Sequence, residues 1–226
     1  MNSQSKTGLD RELVAMRAVR EVKEGDYVNL GFGLPGMVAN FIAPEMEVVL
    51  HAENGILGYG PIPDEEMWDA DLVIAGTAGP TSLQSGGAFF DNAYAHLMMR
   101  GGHLDIAFLG AYQVSEEGDL ANWTLGKAHE LGGIGGAMDL AHGAKKVIVL
   151  MDHTDRSGKP RIVKHCNYPL TAKRVVNKVI TNLAVIEVTP QGLLLKEVAP
   201  GWRAEEIQNV TEPKLTIAGD LKEMEF

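Results

Sequence analysis

The sequence has one cysteine, Cys166, so no intrachain disulfide can form, and a reducing compartment, by default the cytoplasm, is expected. It also lacks any apolar run of about 18 residues, and no basic segment followed by an apolar one opens it, so neither a membrane span nor an export signal is expected. Basic blocks are missing too. The formal net charge is −10, and the densest basic points are Lys145-Lys146 and the stretch from Arg156 to Arg161, which excludes a nucleic-acid or anionic-membrane surface. The seven histidines show neither H-x-x-x-H nor H-E-x-x-H spacing, and Cys166 beside His165 has no companion ligands, so no metal is expected. Ser85 in "LQSGGA" does not complete G-x-S-x-G, which weakens a serine-hydrolase reading. There is no internal repeat, low-complexity tract or linker.

What the chain has in excess is glycine: 26 residues, against roughly 16 for average usage. Glycine costs backbone entropy, so the surplus points to tight turns and to places where backbone must approach a ligand closely. With 226 residues and 45% hydrophobic content, the chain can bury a sizeable core as one domain over 1–226, with residues 1–8 as a loose polar tail.

Apolar residues at Leu9, Leu13, Met16, Val19 and Val22 predict an amphipathic helix over 9–24, stopped by Gly25. A strand at 27–30 follows, then "GFGLPGMVANFIAP", a glycine turn into a short helix from Pro35 to about Ala43, and a strand at 47–52. Further strands are predicted at 71–75, 105–109 and 146–151, with a helix at 89–100 closed by Gly101-Gly102. Short continuous runs of Val, Ile and Leu separated by helices are what a parallel sheet covered on both faces requires. The predicted fold class is α/β, an open and mostly parallel sheet flanked by helices. Past Met151 the texture changes: Thr171 is a candidate N-cap for a helix reaching Asn182, and "LAVIEVTPQGLLLKEV" reads as a hairpin, giving a mixed C-terminal extension of the sheet.

Within "LHAENGILGYGP" a carboxylate, Glu53, follows a buried strand and precedes Asn54-Gly55, a pair suited to a sharp turn. That places it at the C-terminal rim of the sheet, where open α/β folds bind ligands. Two accounts of the neighbouring glycines stand. In one, Gly31, Gly33 and Gly36 form G-x-G-x-x-G after a strand and Glu53, 22 residues beyond Gly31, holds a ribose hydroxyl, as in a Rossmann-type NAD(P) oxidoreductase. A proline between these glycines, a short helix and the unused cluster "GGIGGAMDL" at 132–140 count against it. In the other, Glu53 is a nucleophile. A carboxylate needs no general base but attacks poorly in water, and becomes effective when desolvated, aimed and supplied with backbone N–H donors for the developing oxyanion. "GIGGA" opening into "AMDLA" offers such amides. His51, two residues before Glu53 in the strand, faces the same side and reads as a packed or supporting residue.

The segments "VNLGFGLP" (28–35), "ENGILGYGP" (53–61), "RGGHLDIAFLGAYQV" (100–114), "GDLANW" (118–123), "GGAMDLAHGAKKVIV" (135–149) and "PLTA" (169–172) resemble the B (β) subunit of the 3-oxoacid CoA-transferases, over nearly the whole chain. The resemblance implies that family's α/β fold, transfer of CoA between an acyl-CoA and a short carboxylate such as a 3-oxoacid, coenzyme A as substrate with no other cofactor, and a partner A subunit in an assembly such as α2β2. It implies Glu53 as nucleophile, Gly136 as the oxyanion-stabilising amide, and Asn29, Gly31, Gly33, Asn54, Gly55, Gly135 and Lys127 as substrate- or CoA-binding positions. Two departures bear on substrate. Thr77 stands where many relatives have a lysine that helps hold CoA, and "NWTLGKAHELGGIGG" lacks the usual proline before Gly126-Lys127.

Overall fold

Asp10 caps the first helix by accepting the N–H of Leu13 at 2.9 Å, and α1 runs Arg11–Val19. It is shorter than predicted because its end tightens: Glu21 and Val22 donate three residues back, to Ala18 and Val19, before Gly25 turns the chain at φ +80°. The computed structural model describes residues 6–74, 76, 79–126 and 133–226. After α1 come β1 (Tyr27–Leu30), a 3₁₀ segment (Pro35–Phe41), β2 (Val49–Ala52), β3 (Ile56–Tyr59), β4 (Val73–Ile74), β5 (Gly79–Pro80) and β6 (Leu83–Phe89). Then follow α2 (Asn92–Arg100), β7 (Ile106–Gly110), β8 (Gln113–Ser115), β9 (Leu120–Ala121), α3 (Ala137–Gly143) and β10 (Lys146–Met151). The last part holds β11 (Ile162–Val163), β12 (Lys178–Thr181), β13 (Ala184–Thr189), β14 (Gly192–Val198), α4 (Ala204–Asn209) and β15 (Leu215–Glu223).

Ten strands form one sheet in the order β15-β14-β13-β12-β10-β7-β1-β2-β3-β6. The central five, β12 to β2, are parallel, and antiparallel strands flank them on both sides. Side chains along the central strands alternate between two cores. In β7, Ile106 and Phe108 join α1 and Leu30 on one face, while Ala107 and Leu109 join Met99 of α2 and Leu140 of α3 on the other. In β10, Val147, Val149 and Met151 face the α2/α3 side, and Ile148 and Leu150 face α1. Both faces are therefore buried, which explains why these strands read as unbroken apolar runs. Phe108 is fully buried, and truncating it to alanine is expected to destabilise by about 3–5 kcal/mol.

Four expectations need correcting. The helix at 35–43 is a 3₁₀ segment, built on bonds such as Gly36 N–H to Gly33 O and Met37 N–H to Leu34 O, both 3.1 Å. Val73–Ile74 pairs with Gly79–Pro80 outside the large sheet. The strand that pairs beside β2 is β3, because Gly55, at φ +108°, reverses the chain directly after Glu53. Phe89 ends a strand, and α2 starts only after Asp91 caps it through the Tyr94 N–H at 2.8 Å. Thr171 caps no helix. Its hydroxyl donates to Asn122 Oδ1 at 2.6 Å, the backbone turns at Arg174 (φ +54°), and β-branched Val179 and Ile180 fill a strand buried on both faces.

Candidate active site

The direction in which the chain adds strands reverses at β1, which has β2 on one side and β7 on the other. Crevices at the carboxyl ends of strands around such a reversal are where open α/β sheets bind ligands. A cavity of about 370 Å³ lies at this position, between the ends of β1, β2 and β7 and the glycine loop that leads into α3. Glu53 enters it half-buried from the end of β2, Asn29 from β1, Gly31 from just past β1, and Gly135 and Gly136 from the loop.

Local backbone chemistry aims Glu53. The Gly55 N–H donates to Ala52 O at 3.0 Å, closing a tight turn, and Gly55 approaches Phe90 O so closely that a Cβ would not fit. Asn54 turns away and donates through Nδ2 to Val73 O at 2.6 Å. Asn92 Nδ2 donates to the carbonyl oxygen of Glu53 itself at 2.8 Å. Opposite, Gly135 sits at φ +50°, and the next amide, the N–H of Gly136, donates to Glu53 Oε2 at 3.0 Å. A side chain at Gly136 would collide with that carboxylate oxygen and push it aside, so it is contact and not dihedral that favours glycine there, its φ being −83°.

Asn29 and His51 form the buried floor. Asn29 Nδ2 lies 2.9 Å from His51 O and 3.1 Å from His51 Nδ1, the paired register of β1 and β2 setting the two side by side. Burial, against a raising influence from the Ala95 backbone, pushes the His51 imidazole down to about 4. The residue beside the nucleophile candidate is thus neutral at physiological pH, and it stacks on Phe90 at 6.3 Å.

The structure brings Asn29, Gly31, Glu53, Gly135 and Gly136 into one cavity. Gly33, Asn54 and Gly55 do not line it: Gly33 faces Arg11, and the other two shape the Glu53 turn. Lys127 and Thr77 lie outside the described residues. Lining residues that sequence reasoning missed are Phe32, 73% exposed at the mouth, Tyr59, Tyr112 and Asn122. Tyr112 and Asn122 fall within the motif stretches "GAYQV" and "ANW", but nothing in those stretches signals that their side chains reach the cavity. Among the described residues, no group of three His, Cys, Asp or Glu could hold a metal ion, and no helix is long and apolar enough to cross a membrane.

The dinucleotide reading of Gly31, Gly33 and Gly36 fails on this geometry. A 3₁₀ segment follows these glycines in place of an α-helix whose N-terminus would receive a pyrophosphate, and Glu53 is bonded to Gly136 across the cavity.

Comparison with known proteins agrees. A family model described as coenzyme A transferase matches residues 11–209. The chain is 49% identical over 203 residues to the B subunit of the 3-oxoadipate CoA-transferase of Pseudomonas putida, covering 90% of this chain and 94% of that one. It is 46% identical over 207 residues to the B subunit of the succinyl-CoA:3-ketoacid coenzyme A transferase of Helicobacter pylori, covering 92% and 99%. Among solved structures, an acyl-CoA transferase from Escherichia coli O157:H7 is similar in fold, with a TM-score of 0.74 at 24% identity, over 97% of this chain and 45% of that one. The chain thus spans about half the length of that protein.

Proposed function

Because the chain belongs to the coenzyme A transferase family, we propose that it is the subunit carrying the nucleophile, Glu53, of an enzyme that moves CoA from an acyl-CoA to a short carboxylate of the 3-oxoacid type. The observation that carries this reading is the bond from the Gly136 N–H to Glu53 Oε2 at 3.0 Å, inside a cavity at the sheet's reversal point.

That bond divides the labour between the two carboxylate oxygens. Oε1 is the one left to attack the thioester carbonyl. The thioester C–S bond breaks, giving an acyl-glutamyl anhydride and CoA thiolate. The thiolate then attacks the Glu53 side-chain carbonyl, and the negative charge of that tetrahedral intermediate develops on Oε2, where the Gly136 amide already points. Collapse expels the donor's carboxylate and leaves a glutamyl-CoA thioester. The acceptor carboxylate runs the same steps backwards, so thioester free energy is retained provided water is excluded. No cofactor beyond coenzyme A as substrate is needed.

The two relatives are each named as the B subunit of their enzyme, which supports an A-subunit partner that completes the site, and we assign an α2β2 assembly in the cytoplasm. The acceptor is a 3-oxoacid such as 3-oxoadipate, following the 3-oxoadipate and 3-ketoacid of the two relatives' names. The test is chemical trapping. Chain co-purified with its A subunit should show ping-pong kinetics, and borohydride should inactivate it only after acyl-CoA is added, because a thioester is reduced and a carboxylate is not. Mass spectrometry should place the resulting alcohol in the peptide containing "HAENGILGYGP". A label on another carboxylate, or initial-rate plots that demand a ternary complex, would remove Glu53 from this role.

A further inference from the structure

We propose that α2 is the strut that sets the gap between Glu53 and Gly136, with Asn92 as the positioning residue at the nucleophile end; this rests on the reading of Glu53 as the nucleophile. The two groups come from segments 83 residues apart, on separate elements. A glutamate side chain has three rotatable bonds, so one amide contact does not fix where the carboxylate stands. The backbone under each partner must be held, and α2 touches both.

At its first turn, Asn92 Nδ2 donates to the Glu53 carbonyl at 2.8 Å, and just before the helix the Phe90 N–H donates to Gly55 O at 3.0 Å. At its last turn, Met99 is fully buried and its methyl lies 3.4 Å from the position a Cβ on Gly136 would take. Gly143, the final residue of α3, meets the Met99 carbonyl so tightly that only glycine fits. Arg100 then locks α3 from outside, Nε to Asp139 Oδ1 at 2.7 Å and Nη2 to Oδ2 at 3.3 Å, a pair that holds the Asp139 carboxyl below its usual range. The seven residue steps from Asn92 to Met99, at 1.5 Å rise each, form a stiff spacer of roughly 10 Å between these two grips.

Ordinary packing would account for Met99 and Gly143, but not for Asn92. It is exposed, so its side-chain bond adds little to folding, yet it holds the carbonyl of the nucleophile residue itself. Removing it should therefore register in the chemistry and leave stability nearly untouched.

The experiment uses the enzyme assembled with its A subunit and compares Asn92→Ala, Asn92→Gln and Glu53→Gln. Asn92→Ala should lower kcat about tenfold, the scale set by a sub-ångström displacement of a nucleophile. KM for acyl-CoA and the melting temperature should hold, and single-turnover borohydride trapping should slow by the same factor. Asn92→Gln, which keeps a donor on a longer arm, should recover part of the rate. If Asn92→Ala matches the parent in kcat and trapping rate while Glu53→Gln is dead, the strut is wrong and the nucleophile stands. A fall in kcat matched by lower melting temperature and altered KM means plain structural support and also overturns the strut. An active Glu53→Gln enzyme removes the nucleophile, and the strut with it.

Discussion

The N–H of Gly136 meets Oε2 of Glu53 at 3.0 Å, and the carboxylate so fills the space beside that amide that any side chain there must displace it. Gly136→Ala tests this contact cleanly, because φ −83° suits alanine and the collision is with the Glu53 side chain alone. The variant should fold with an unchanged melting temperature while kcat falls by about 10²-fold, as expected from losing one oxyanion donor or displacing the nucleophile by an ångström. Steady-state kinetics with thermal melts would decide it. A variant with parental kcat means Gly136 does not serve the reaction.

Glu53 itself divides reach from charge. Glu53→Asp withdraws the carboxylate by one methylene, so the assembled enzyme should lose about 10²-fold in kcat, whereas Glu53→Gln loses the anion proposed to attack and should fall further. Both variants keep the Gly55 N–H bond to Ala52 O and the Asn92 side-chain bond to the residue-53 carbonyl that shape the turn, so circular dichroism should match the parent. Equal residual activity in the two would argue that the side chain orients substrate and does not attack.

His153 makes stability depend on pH. It is fully buried, with Nδ1 2.9 Å from Thr181 Oγ1 and Nε2 2.8 Å from Thr211 Oγ1, and burial lowers its pKa from 6.5 to about 4. The folded state keeps it neutral while the unfolded chain takes a proton near 6.5. Its contribution is therefore complete above about pH 6.5 and is lost as pH falls towards about 4. The loss is on the order of 3 kcal/mol, and His51, lowered mainly by burial to about 4, adds to it in the same window. Glu21 acts lower: burial alone would raise it, but Lys146 and Lys178 hold it at about 2, so its share persists until pH falls below the ordinary carboxylate range. Urea titrations at pH 7.5 and 4.5 should show the drop, and His153→Gln should shrink it, leaving the share of His51. An equal drop in that variant would clear His153.

The sequence is readable where physics is local. The strands at 105–109 and 146–151 stand out because both faces are buried, so apolar residues run without interruption from Ile106 to Leu109 and from Val147 to Met151. "ILGY" and "LQSGGAF" do not, since β3 and β6 carry glycines and β6 is largely exposed, leaving no apolar period to detect. The false helix at 171–182 comes from a helix-compatible composition overridden by the turn at Arg174 and by pairing of Lys178–Thr181 with β10 and β13. In the site, Glu53 and the glycine cluster are legible as a carboxylate on the rim and a run of unhindered amides. Asn92 and the Arg100–Asp139 pair are not, because each partnership joins residues 39 positions apart and exists only once α2 packs between β2 and α3.

Charge is also buried far from the rim. Arg17 of α1 is 6% exposed and grips Glu197 of β14 with two bonds, Nε to Oε2 at 2.6 Å and Nη2 to Oε1 at 2.8 Å. It also reaches Glu21 at 3.1 Å, and Glu21 is shared with Lys146 and Lys178, each at 2.8 Å. Such a network adds little net stability over an apolar replacement, since desolvation offsets the attraction, but half of it cannot be removed safely. Arg17→Met strands Glu197 in an 8% exposed position and should cost about 3–5 kcal/mol. Adding Glu197→Met should return most of that, because no uncompensated charge then remains, and the coupling in a double-mutant cycle should be well above the few tenths expected of independent sites. Denaturant unfolding of the four proteins at pH 7.5 measures it. Additive losses would mean that Arg17 and Glu197 are solvated separately and that α1 is held to the sheet by Val14, Ala15 and Ala18 alone.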